Sequence, residues 1–120
     1  MNLEIKEIYL DGFPDEPIPD LFEFSVSICV EIGEKGKQGA ERFHFVAASP
    51  TALNEEVSDG EFKLLRGYIL MKKFDLNIVR KSVENLIDHA RSRESWNDVV
   101  SFFNRYGIYD SEDLDRSHFP

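Results

Sequence analysis

The chain has 120 residues, 42% of them hydrophobic and 31% charged, ordinary globular usage at a length that suits one domain with one core. Fourteen basic against 23 acidic side chains leave a net charge of −9, which repels phosphate backbones and anionic headgroups and so argues against direct nucleic-acid binding and against a membrane surface. A lone Cys29 excludes an internal disulfide, no apolar run approaches the roughly 18 residues that span a bilayer, and Met1 leads into Glu4 and Lys6 without the order of a signal peptide; a reducing cytoplasm is the expected location.

Leu3 to Leu10 reads as a first strand whose apolar residues change phase between Ile5 and Ile8, the mark of a bulge or of burial on both faces. From Asp11 to Asp20 the chain carries Gly12, Pro14, Pro17 and Pro19 among acids, which predicts an extended surface loop. Phe22, Phe24, Val26, Ile28, Val30 and Ile32 then alternate with Glu23, Ser25, Ser27, Cys29 and Glu31, as a long strand with one buried face requires. The three glycines between Gly33 and Gly39 predict a loose hairpin into an antiparallel third strand carrying Phe43, Phe45 and Ala47 on one face.

Ser49-Pro50 predicts a capped short helix through about Glu56, and Phe62 to Phe74 reads as a fourth strand. Asp75 caps a predicted helix from Leu76 to about Arg93 with Val79, Val83, Leu86, Ile87 and Ala90 in one stripe. Ser95 with Asp98 resembles a capping box and opens a last helix bearing Trp96, Val99, Val100, Phe103 and Tyr106, which Gly107 ends. Trp96 belongs to the core by its spacing, and the tail from Tyr109 to Pro120 is acidic and partly ordered. These elements compose an α+β fold over residues 1–120 as one domain: an antiparallel sheet of about four strands, two helices packed on one face and a short helix between strands.

Chemistry-bearing patterns are sparse. His44, His89 and His118 are scattered without metal-ligand spacing, and no phosphate-binding glycine loop or nucleophile elbow occurs. His44 alternates with Phe43 and Phe45 and so points to the opposite face, where a hydrogen-bonded strand histidine accounts for it better than a general base. Cys29 has no basic sequence neighbour to lower its pKa. No catalytic, metal-binding or cofactor-binding residue is therefore assigned. Asp15, Glu16 and Asp20 in the first loop and Asp110, Glu112 and Asp113 in the tail keep one sign over two segments without interleaved bases, a surface that suits a basic partner, with Tyr109 as a candidate anchor.

The segments Phe43-His44-Phe45-Val46, Ser49-Pro50 with Leu53, Gly67-Tyr68-Ile69-Leu70 with Phe74-Asp75, the amphipathic helix, and Ser95-Trp96 stand in an order that resembles the immunity protein 8 family of bacterial polymorphic-toxin and contact-dependent inhibition systems. The resemblance covers nearly the whole chain and implies an α+β protein that binds and neutralises a cognate toxin domain by occlusion, without catalytic residues. Acidic loops would cover a basic active-site region if that toxin is a nuclease. The competing reading from the residues is an acidic interaction or scaffold module unrelated to toxins, with a small enzyme using His44 as a more distant third.

Overall fold

Val26, Ile28, Val30 and Ile32 alternate with Ser25, Ser27, Cys29 and Glu31. In the computed structural model, which describes residues 1–11, 18 and 20–110, they form β2 (Ser25–Glu34), between β1 (Leu3–Leu10) and β3 (Glu41–Ala48). Both pairings are antiparallel. The phase change in the first strand is a register shift between Ile5 and Glu7, which turns Ile5, Ile8 and Leu10 toward the same side as Ile32, Val30 and Ile28.

The far edge of β3 is shared. Its C-terminal half, Val46–Ala48, pairs in parallel with β4 (Tyr68–Leu70), and Phe43 and His44 pair antiparallel with β5 (Ile108–Tyr109). The fold is α+β as predicted, with a mixed sheet in place of a purely antiparallel one. Between β3 and β4 lies α1 (Pro50–Glu55), followed after β4 by α2 (Leu76–Ala90) and α3 (Trp96–Phe103). Their predicted caps are formed: Ser49 Oγ accepts from Ala52 N, Asp75 Oδ1 from Asn77 N and Ser95 Oγ from Asp98 N.

One side of the sheet is dry. Val26, Ile28, Val30, Ile32, Phe43, Phe45 and Ala47 bury against Val79, Val83 and Ile87 of α2 and Val99 and Phe103 of α3, burial worth about 1.5–3 kcal/mol per large side chain. Phe43 meets Phe103 at a ring separation of 5.2 Å. Trp96 packs on the margin of this core, half-buried.

Four boundaries differ from the sequence expectation, the first being the last helix, which ends at Phe103 instead of running to Gly107 and leaves Tyr106 outside it and 47% exposed. The second strand begins at Ser25 and not at Phe22, because Asp20 Oδ1 accepts from the backbone N–H groups of Phe22 (2.8 Å) and Glu23 (3.1 Å) and holds them in a turn. Phe22 is consequently 63% exposed while Phe24 is buried. The fourth strand is Tyr68–Leu70 alone, since Gly67 at φ +84° breaks the extended path before it. The α2 helix ends at Ala90, short of Arg93.

Candidate partner-binding face

The helices cover one side of the sheet, so the other side presents what alternates with the core: Tyr9 from β1, Ser25, Ser27, Cys29 and Glu31 from β2, and Arg42 and His44 from β3. Cys29 sits between Tyr9 and His44 as the cross-strand partner of both. Two carboxylates converge on His44: its Nε2 lies 2.6 Å from Asp110 Oδ1 and its Nδ1 lies 3.9 Å from Asp11 Oδ2. Beside them Arg42 Nε meets Glu31 Oε2 at 3.5 Å.

Asp11 opens the first acid-rich loop and Asp110 opens the acidic tail. Backbone geometry fixes both: Asp11 N donates to Ser27 O at 2.9 Å, extending the β1 ladder, and β5 carries the chain to Asp110 beside His44. The turn into β5 needs Gly107, where an added Cβ would lie 2.7 Å from the Phe45 ring. The two acidic segments therefore leave the sheet from one place.

A second acidic group closes the end of the same sheet, where Asp20, Glu23 and Glu55 line an open depression around Phe22 and Thr51. The charge of Glu55, and a hydrogen bond shared with it, hold the Glu23 carboxyl above the usual carboxylate range. Glu56, next along the chain, lies differently: it accepts from Lys63 Nζ at 2.6 Å, which lowers its pKa, and from Ser25 Oγ and Tyr68 Oη.

Cys29, His44 and Asp110 are the residue types of nucleophilic catalysis, and their environment opposes that chemistry. Cys29 is 1% exposed and burial pushes its thiol pKa up, so the thiolate that would attack is disfavoured. Its cross-strand neighbour is Tyr9, whose phenol the contact with the Cys29 sulfur and burial push up to about 12. Among the described residues no three histidine, cysteine or carboxylate side chains gather in a way that could hold a metal ion, and no helix is long and apolar enough to cross a membrane.

Of the partner residues predicted from sequence, Asp15, Glu16, Glu112 and Asp113 lie outside the described residues. Asp20 caps the turn that exposes Phe22, and Asp110 sits on His44. Tyr109 is half-buried on the helix side, 5.4 Å from the Phe43 ring, with its Oη donating to Glu41 Oε2 at 2.7 Å. Asp20 and Asp110 thus lie in two groups on the sheet and not in one. Sequence reasoning did not bring Glu23 and Glu55 together, since they are 32 positions apart and show no common pattern.

The sequence model of a family described as Immunity protein 8 matches residues 2–114, nearly the full length of the chain. Neither the curated proteins nor the solved structures give a match. The family implies an immunity protein against toxins, with a toxin protein as partner. The chain belongs to the immunity protein 8 family.

Proposed function

We propose that residues 1–120 act as one immunity domain that binds the toxic domain of a cognate effector in the cytoplasm and neutralises it by occlusion, without catalysing a reaction. The observation that carries this reading is the convergence of Asp11 and Asp110 on His44. It brings the starts of both acid-rich segments together on the uncovered sheet face. A basic surface, such as the substrate-binding region of a nuclease toxin, is the complementary shape in charge. Lysine or arginine side chains docking between Glu23 and Glu55 would relieve the repulsion between those carboxylates, with the exposed ring of Phe22 beside them as an apolar anchor.

The test is to mix the full chain with the toxin domain encoded by the neighbouring gene and assay the toxin. Loss of toxin activity at one equivalent, with a stable complex on gel filtration, supports the reading. Continued toxin activity with no complex at micromolar concentrations rejects it. A toxin destroyed at substoichiometric chain would point to catalysis and not to occlusion.

A further inference from the structure

The segment from Phe62 to Phe74 carries Lys63, Arg66, Lys72 and Lys73 and no acid, leaving ten basic against 23 acidic residues in the rest of the chain. It is also where apolar side chains meet solvent: Phe62 is 86% exposed, Leu64 87%, Leu65 52% and Leu70 60%. Within it β4 forms the end of the sheet, with no strand among the described residues on its outer side. Gly67 O accepts from Val46 N and Met71 N donates to Ala48 O, so alternation turns the N–H and C=O groups of Tyr68 and Leu70 outward. Alongside runs an open groove of about 360 Å³ between this edge and α2, floored by Ile69, Leu86 and Tyr106.

The opposite edge of the sheet has the usual protection. Along β1, Glu4, Lys6 and Glu7 and the register shift at Ile5/Glu7 blunt the edge against pairing. At β4 the charges stand at the two ends and the middle is apolar, an arrangement that selects a partner better than it repels one. Lys63 is held by Glu56, and Lys73 lies over the Phe22 ring at 5.7 Å; Lys72 is exposed, with no ion pair among the described residues.

We propose that the outer edge of β4, which no described strand pairs, is a second docking site for the toxin, which adds an extended segment there by strand pairing, with apolar side chains in the groove over Ile69 and Leu86 and acidic side chains at the end bearing Lys72. This rests on the toxin-binding reading above and assigns a contact of opposite charge to the acidic face. Main-chain hydrogen bonds to Tyr68 and Leu70 supply the affinity, and Lys72 selects an acidic side chain at its end of the edge. Two patches of opposite sign also fix the orientation of the complex, since a reversed partner would set like charges together.

The experiment is backbone amide exchange of the full chain, free and in complex with the toxin domain encoded by the neighbouring gene, with toxin affinity measured for Lys72→Glu and Lys72→Arg. At least tenfold slower exchange of the Tyr68 and Leu70 amides in the complex is expected, together with weaker binding by Lys72→Glu and retained binding by Lys72→Arg. A complex that forms with those amides unchanged overturns the proposal and leaves the toxin-binding reading standing; absence of any complex overturns both. Amides already protected in the free chain and released by deletion of residues 111–120, or protected only as concentration rises, would assign the edge to the chain's own tail or to a second copy and likewise overturn it.

Discussion

His44 Nε2 lies 2.6 Å from Asp110 Oδ1, a bond between residues 66 positions apart that holds the end of β5 against β3. The β5 strand is only Ile108–Tyr109, so a side-chain tether at its end matters more than it would for a long strand. His44→Ala should speed amide exchange at Ile108 and lower stability by about 1 kcal/mol, the net worth of one hydrogen bond. Unchanged exchange at Ile108 would mean that Phe43 and Tyr109 hold this strand without the histidine.

Gly107→Ala tests the same turn from the packing side. The new Cβ would lie 2.7 Å from the Phe45 ring, which is itself buried. The ring or the turn must move, and overpacking of this kind destabilises by about 1–3 kcal/mol. Chemical denaturation measures the change, and an unaltered midpoint would show that the turn relaxes freely.

Val26→Asp places a carboxylate among the core residues on the helix side of the sheet, where Val26 is 3% exposed. No cation among the core residues offsets its desolvation, and a loss of several kcal/mol or failure to fold is expected. A stable, soluble variant with native circular dichroism would contradict the assignment of this face as the core.

Much of that core was legible because period two in β2 and the apolar stripe of α2 are local signals that name one face each. Phe22 obeyed the period and still left the strand, because a single carboxylate, Asp20, captured two backbone N–H groups. The parallel pairing of β4 and the two-residue β5 leave no periodicity to detect, since both are decided by what β3 offers at its far edge. The acidic loops were visible as composition; the meeting of Asp11 and Asp110 at His44 was not, because these two residues are joined only through the folded sheet.

Tyr9 and Cys29 give the fold a signature at high pH. The phenol of Tyr9 is pushed up to about 12, above the unfolded value of about 10. Between these values the folded chain keeps a proton that the unfolded chain loses. The stability from this group is therefore present below about pH 10 and is lost as pH rises toward 12. Ultraviolet titration should find a late-ionising tyrosine that Cys29→Ala brings down; a titration curve unchanged by that substitution would contradict the Tyr9–Cys29 contact.

The Glu23 and Glu55 pair makes a prediction about binding. Glu55 raises Glu23, so Glu55→Gln should bring the Glu23 carboxyl down, as followed by carboxyl-carbon NMR. A cationic partner side chain favours the ionised pair, and toxin affinity should weaken as pH falls through the raised pKa of Glu23. Affinity that is flat across the carboxylate range would place the contact away from these residues.

The central claim is that acidic groups on and around the uncovered sheet face steer the toxin, and stopped-flow association tests it most directly. Charge reversal at Glu23 and Glu55 together, both exposed, measured against the toxin domain at low and high salt, should slow association severalfold and flatten its salt dependence. Exposed charges contribute little to stability, so the fold should remain. An unchanged association rate and salt slope in a folded variant would contradict the account and reduce these acids to solubilising groups.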